Sequence, residues 1–86
     1  MNLYLLVQDQ NEGYDTYDSA VVCAEDEDKA RIIHPYTNVD ADFDPWKDRW
    51  CSDTWASSPD RVTVKLIGVA VEGTEAGVIL ASFNAG

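Results

Sequence analysis

Basic residues are scarce in this sequence, and none occurs before Lys29. The chain has six Lys and Arg against sixteen Asp and Glu, which gives a formal net charge of −10 and a pI near 4.1. Direct nucleic-acid binding needs clustered Lys and Arg to contact phosphates, and anionic membrane surfaces attract the same residues. The six basic residues are scattered, so both kinds of partner are disfavoured. The charge instead predicts a partner with a basic surface.

Cysteine and long apolar runs are also scarce. The two cysteines, Cys23 and Cys51, are too few for a secreted disulfide framework, and we interpret both as reduced, partly buried thiols. The apolar run at residues 3–7 follows no basic residue and predicts a strand rather than a signal peptide. No run approaches the ~20 residues that span a membrane. We therefore expect a protein of the cytoplasm, or of the cytoplasm of a host cell.

The sequence lacks a Ser-His-Asp set, a phosphate-binding Gly loop and a CxxC motif. Asp40, Asp42 and Asp44 do have the D-x-D-x-D spacing that opens a calcium loop. However, Pro45 stands where that loop needs Gly, and Cys51 stands where it needs a bidentate Glu. A solvated acidic loop or a partner-binding surface explains the three carboxylates better. We expect no enzyme activity, no cofactor and no metal site.

Apolar residues make up 45% of the 86 positions, which is enough for one small folded domain over residues 1–86. Four segments rich in alternating, β-branched or aromatic residues predict strands, with a glycine-containing hairpin loop after the first and after the third. Gly68 predicts a bulge or a bend in the third strand. The strands are placed at residues 2–8, 17–24, 61–71 and 78–84, and the hairpin loops at residues 9–15 and 72–77.

A helix is predicted between the second and third strands. Asp26 is a suitable N-cap, the carboxylates that follow complement the helix dipole, and Pro35 ends the helix at about His34. Ala30 is expected to face the sheet and Arg31 the solvent. The position of His34 is explained by the favourable interaction of a histidine with a helix C-terminus.

The middle of the chain is irregular, with a short second helix predicted over residues 45–51 and Asp44 as its N-cap. That helix would place Trp46 and Trp50 one turn apart on the same face. Together with Trp55, these side chains either anchor a partner or close the irregular segment over the sheet as a small hydrophobic cluster. The cluster is the favoured interpretation.

The order of elements is β-β-α-β-β, with the irregular segment and its short second helix before the third strand. This order predicts an α+β domain in which a four-stranded, mainly antiparallel sheet carries one short helix on one face.

Most of the net charge lies in the first third of the chain, because residues 1–28 contain eight carboxylates and no basic residue. The predicted second strand separates the acids of the hairpin loop from those of the helix start by roughly 26 Å, at ~3.3 Å per residue. Carboxylates spread in this way can imitate phosphates along a duplex, although solvated loops and helix starts also explain them. The candidate partner-binding residues are Asp9, Glu12, Asp15, Glu25, Asp26, Glu27, Asp28, Asp40, Asp42 and Asp44.

Two stretches of the sequence resemble a family of small phage and prophage proteins. They read L-Y-L-L-V-Q-D-Q-N-E-G-Y-D-T-Y-D-S-A-V-V-C-A-E-D-E-D-K-A-R-I-I-H-P at residues 3–35 and G-V-I-L-A-S-F-N-A-G at residues 77–86, which is about half of the chain. The resemblance names no chemistry. Small acidic phage proteins include anti-CRISPR proteins, several of which block DNA recognition by their target complex, and the analogy rests on size, charge and origin.

The function predicted from these observations is a phage-encoded, anti-CRISPR-like inhibitor that covers a basic nucleic-acid-binding surface of a bacterial defence complex, such as a CRISPR effector. The alternative is a non-enzymatic phage accessory protein that binds its partner through the Trp-rich segment. Neither prediction involves direct contact with nucleic acid or with a membrane, and the oligomeric state is left open.

Overall fold

The fold is taken from a computed structural model that describes residues 1–36, 44–47 and 49–84, without the side chains of residues 49, 50 and 52. Within these residues, four strands, two short helices and one 3₁₀ turn follow each other. In order, they are β1 (Asn2–Val7), β2 (Thr16–Ala24), α1 (Glu27–Arg31), α2 (Arg49–Thr54), the 3₁₀ turn (Pro59–Arg61), β3 (Thr63–Val69) and β4 (Gly77–Asn84).

The four strands form one antiparallel sheet in the order β3-β1-β2-β4. The predicted α+β class and the four-stranded sheet with a short helix on it are confirmed. The two central strands are the hairpin β1-β2, in which Tyr4 lies opposite Val22 and Leu6 opposite Ala20. These four side chains are buried, so they tie the centre of the sheet to the core.

The prediction of a hairpin between the third and fourth strands is wrong. β3 pairs with β1 and β4 pairs with β2, so the two strands lie at opposite edges of the sheet. Residues 70–76 therefore cross the end of the sheet at which β1 begins, since β3 ends opposite Asn2 and β4 begins opposite Cys23. The local turn is real, with the Thr74 N–H and hydroxyl both donating to the Val71 carbonyl at 3.1 and 2.7 Å.

The hydrophobic core lies on one face of the sheet, which we call the inner face. Ala30 of α1 packs there, together with Trp55 and Val62 from the segment before β3. No helix packs on the opposite, outer face within the described residues, and its side chains include Leu5, Val21 and the exposed Leu80.

Helix α1 begins as predicted but is shorter. The Asp26 carboxylate accepts a hydrogen bond from the Lys29 N–H at 2.8 Å, which confirms the N-cap. The helix ends at Arg31 rather than His34. Pro35 has no N–H to donate to a helical carbonyl, and it disfavours helical backbone at His34. The helix therefore ends before His34, and its last residue lies three positions before the predicted end. Arg31 is also half-buried rather than solvated, because its guanidinium donates to the Val62 carbonyl.

The second helix is displaced from its predicted position at residues 45–51. The Asp44 carboxylate does accept a hydrogen bond from the Trp46 N–H at 3.0 Å, but residues 45–47 form a turn, and α2 begins at Arg49. The Trp46 indole donates to the Ile32 carbonyl at 2.7 Å, and this tertiary contact fixes the turn. Trp46 is therefore outside the helix, and the side chain of Trp50 lies outside the described part of the chain.

Of the bulge or bend predicted at Gly68 in the third strand, the structure has a bulge. Leu3 lies opposite Gly68 and Tyr4 opposite Leu66, so Ile67 is the extra residue. The same kind of shift places an extra residue, Ile79, in β4.

Candidate acidic interface

Asp9, Glu12 and Asp15 form what we call the hairpin-loop patch. All three side chains are exposed in the loop between β1 and β2. The ion pairs of the described residues involve Glu25 and Glu27, so none of the three carboxylates of this patch is in an ion pair within that part of the chain. The other end of the β1-β2 hairpin contains the two carboxylates that form these ion pairs.

Hydrogen bonds of the Gln8 side chain hold the backbone of this loop in place. Its side chain is buried, and its amide nitrogen donates to the carbonyls of Asn11 and Tyr17 at 2.6 and 2.9 Å. Its amide oxygen accepts hydrogen bonds from the N–H groups of Gln10 and Asn11, both at 2.8 Å. One buried side chain thus satisfies four backbone groups of an otherwise irregular loop, which fixes the positions of the neighbouring carboxylates.

The loop is also anchored to distant parts of the chain. The Gln10 amide donates to the Ser57 hydroxyl at 2.9 Å and accepts from the Ser57 N–H at 3.1 Å. The Asn11 amide donates to the Trp55 carbonyl, and the Asp15 N–H donates to the Asn84 carbonyl. Asp15 has a left-handed backbone with φ of 59°, which Asp tolerates better than most residues. These anchors were not predicted, because uncharged amides separated by 47 residues give no sequence pattern.

Glu25, Asp26, Glu27 and Asp28 form the helix-start patch. All four side chains are exposed, as predicted, but their charge is partly neutralised. Glu25 pairs with Lys29 at 2.7 Å, and Glu27 pairs with Arg31 at 3.1 Å. The hydrogen bond to Glu25 raises the pKa of Lys29, in keeping with that pairing. Asp26 serves as the cap of α1, so Asp28 is the carboxylate here whose role is open.

Two further carboxylates, Glu72 and Glu75, lie at the same end of the sheet as the helix-start patch. Both are exposed on the connection that crosses from β3 to β4. The sequence analysis missed them because residues 72–77 were interpreted as a hairpin loop. In addition, Arg61 and Lys65 balance their charge over residues 61–86, so this part of the chain did not stand out as acidic. The strand order shows that this connection crosses the sheet at the C-terminal end of β2, the strand that leads into α1.

The third predicted acidic cluster is only partly described. Asp40 and Asp42 lie outside the described residues. Asp44 is exposed, and its carboxylate and carbonyl accept hydrogen bonds from the N–H groups of Trp46 and Lys47 at 3.0 and 3.1 Å. Its carboxylate therefore stabilises a turn.

The two patches are separated by the length of β2. This strand has nine residues, which span roughly 30 Å at ~3.3 Å each. The sequence prediction of two separated acidic groups at the ends of one hairpin agrees with this placement, and β2 is one residue longer than expected.

His34 and two tryptophans form an apolar cluster under the inner face. The His34 ring packs edge-on against Trp46 and Trp55, with centroids 4.9 and 6.4 Å away. Trp55 has no exposed surface and belongs to the core. Burial lowers the pKa of His34 to about 4, against opposing effects of the Cys51 backbone and the Asp44 charge. This histidine is therefore neutral at pH 7, and a helix dipole does not explain its position.

Within the described residues, no group of three His, Cys, Asp or Glu side chains is placed to hold a metal ion. Cys23 and Cys51 are both buried thiols. Over the same part of the chain, each helix is too short or too polar to cross a membrane.

No family model, curated protein or solved structure matches this chain. The resemblance to small phage proteins therefore stays a hypothesis. The geometry of the acidic patches is the observation from which a function can be argued.

Proposed function

We propose that this protein is a non-enzymatic inhibitor that covers a basic, nucleic-acid-binding surface of a bacterial defence complex, in the manner of an anti-CRISPR protein. The observation that carries the proposal is the placement of exposed carboxylates at both ends of one rigid hairpin, roughly 30 Å apart. Phosphates of B-DNA that face the same side recur about every helical turn, at ~34 Å. Two acidic ends at this separation suit a groove built for a duplex.

Rigidity supports the same proposal. A mimic of DNA must present its charges without first ordering them, because ordering flexible loops costs free energy on binding. Gln8 and the Gln10–Ser57 contacts hold the hairpin-loop patch in place before any partner arrives. The formal net charge of −10 also favours rapid encounter with a basic surface. The site of action would be the cytoplasm of the host cell, where such complexes work.

The hairpin-loop patch is expected to contribute more to binding than the helix-start patch. Its three carboxylates are not paired within the described residues, whereas Lys29 and Arg31 offset part of the charge at the helix start. Glu72 and Glu75 add to the second end and join the proposed interface.

The alternative function, an accessory protein that binds through its tryptophans, receives less support. Trp55 is in the core, and Trp46 is held by His34 and the Ile32 carbonyl. Both side chains stabilise the fold, so an interface of this kind would depend on Trp50, whose side chain lies outside the described part of the chain.

The test begins with phage plaquing on bacteria that carry defined CRISPR systems, with and without the protein, followed by a pull-down of the target from the same cells. We expect plaquing to be restored in one system and the captured complex to lose DNA binding. The double variant Asp9→Asn/Glu12→Gln should weaken capture roughly tenfold, and the wild-type complex should dissociate as salt increases.

The matched control is Asp53→Asn/Asp60→Asn, which removes two exposed carboxylates outside both patches. It removes the same number of negative charges as the first double variant and should leave capture of the target nearly unchanged. Equal losses from both double variants would show a general charge effect and no interface. A target whose binding does not change with salt would contradict the proposal outright.

A further inference from the structure

The edge strand β4 contains no charged residue. Its sequence, G-V-I-L-A-S-F-N, also has no proline and extends over eight residues. An edge strand offers outward-facing N–H and C=O groups, and natural proteins usually protect long edges with Lys, Pro or very short strands. β4 has none of these protections.

The opposite edge shows the contrast. β3 contains Lys65, an exposed charge in the middle of the strand, and a bulge at Ile67 breaks its register beside Gly68. In β4 the extra residue, Ile79, lies near the start of the strand. A second register shift lies beside Ser82 and Phe83, but its extra residue is Asp18 of β2, so Leu80–Asn84 contains no inserted residue. One edge of the sheet is therefore protected against strand addition and the other is open.

Apolar side chains flank the open edge on both faces of the sheet. Leu80 is 68% exposed on the outer face, beside a shallow depression lined by Ser19, Val21 and Ser82. Phe83 lies on the inner face, 40% exposed, with its ring 4.7 Å from that of Tyr17. A strand added here would bury apolar surface above and below its backbone hydrogen bonds.

We propose that a second copy of this chain occupies this edge, with the two β4 strands antiparallel about a two-fold axis. The two four-stranded sheets then form one sheet of eight strands. The backbone groups of an edge require a strand as the occupant, and an antiparallel pair of identical strands closes both edges at once.

Charge selects the second copy. A partner with a basic surface finds no carboxylate on β4, whereas two copies of a chain with net charge −10 repel each other wherever their acids meet. The middle of β4 is a surface at which two copies can approach without bringing carboxylates of the strand together, and the nearby Asp18 carboxylate lies at the end of the strand, where it accepts a hydrogen bond from Asn84 at 2.9 Å. Both acidic patches lie at the ends of the hairpin and away from the middle of β4.

The experiment measures mass in solution by sedimentation velocity over a wide range of protein concentrations. The monomer has a mass of 9.5 kDa, so the dimer is expected at twice that, 19 kDa. Leu80→Lys should give the 9.5 kDa species at concentrations where the wild type is dimeric. The matched control is Leu66→Lys on the other edge, where the side chain is 59% exposed, and it should remain dimeric.

Ser82→Lys is the second variant, because it adds the same charge to β4 without removing an apolar side chain. Far-UV circular dichroism and thermal unfolding verify that each variant is folded. A wild-type chain that stays at 9.5 kDa at every concentration would overturn the proposal. It would do so even if β4 were found to bind a strand of a different protein. A dimer unaffected by both β4 lysines, a dimer lost equally in Leu66→Lys, or open-ended assembly would overturn it as well.

Salt separates this inference from the proposed function. Screening reduces the repulsion between two acidic copies, so self-association should strengthen as salt increases. Binding to a basic target should weaken over the same range. A dimer that weakens with salt would reveal a charge-paired interface and contradict the assignment to β4, whatever the outcome with a target complex.

Discussion

His34 is the only histidine of the chain, and 5% of its surface is exposed. Its Nδ1 atom accepts a hydrogen bond from the Tyr36 N–H at 3.0 Å, while Nε2 is buried with no hydrogen-bond partner in the described part of the chain. The ring therefore acts as a neutral, largely apolar side chain that fills the space between Trp46 and Trp55. Its pKa, about 4 instead of 6.5, follows from this burial.

The stability of the fold should depend on pH through this residue. Well above pH 6.5, His34 is neutral in both the folded and the unfolded chain, so it has no effect on pH dependence there. Between pH 6.5 and about 4, the unfolded chain takes up a proton that the folded chain does not, and stability is lost as pH falls. The loss reaches about 3 kcal/mol and then levels off.

Urea denaturation of the wild type and of His34→Gln as a function of pH measures this loss. The carboxylates titrate in both proteins, so the difference between their two curves isolates the histidine. We expect that difference to change between pH 6.5 and 4 and to be constant above pH 7. NMR titration of the ring gives an independent value, and a midpoint near 6.5 would show that the ring is not buried as described.

At the scale of single elements, Gln8 determines whether the β1-β2 loop has a defined shape. Gln8→Ala removes the partner of four backbone groups and should lower the free energy of unfolding by about 2–3 kcal/mol. Gln10→Ala is the comparison, because its contacts with Ser57 are exposed and should contribute less than about 1 kcal/mol. Denaturant titration of both variants measures the difference, and equal losses would mean that Gln8 has no special role in the loop.

The sequence predicted the elements whose determinants are local. Alternation and β-branched residues identified the four strands, and Asp26 was correctly identified as a helix cap. Gly68 indicated a bulge or a bend, and the bulge lies next to it, at Ile67. The turn at Asp44 was also recognised, but its extension into a helix depended on where the Trp46 indole binds, at the distant Ile32 carbonyl. The Gln8 bonds were missed for a related reason, since a buried glutamine has the same letter as a solvated one.

At the scale of the whole molecule, strand order was the part that the sequence did not specify. A turn over residues 72–77 suggests a hairpin, yet β1 lies between β3 and the rest of the sheet. β1 has apolar side chains on both faces and is most stable when it is flanked on both sides, which sends the more polar β3 to an edge. The placement of acidic residues at both ends of the β1-β2 hairpin could be predicted because β1 and β2 are adjacent in the chain, so the positions of their ends follow from local sequence; their role as a binding site stays a prediction.

The surplus of acidic groups should also limit the stability of the isolated monomer. Sixteen carboxylates face six basic residues, and the described ion pairs include only two of the carboxylates, so self-repulsion in the compact state exceeds that in the unfolded chain. Adding sodium chloride should screen this repulsion and raise the melting temperature of Leu80→Lys, a variant chosen to exclude dimer formation. A gain of about 1 kcal/mol corresponds to about 4–8 °C for a domain of this size.

Adding Asp9→Asn/Glu12→Gln to the Leu80→Lys variant should make the salt effect smaller, because that chain starts with less repulsion. A melting temperature that falls with salt would mean that attractive pairs outweigh repulsion, and that the acidic patches are more neutralised than the described ion pairs indicate.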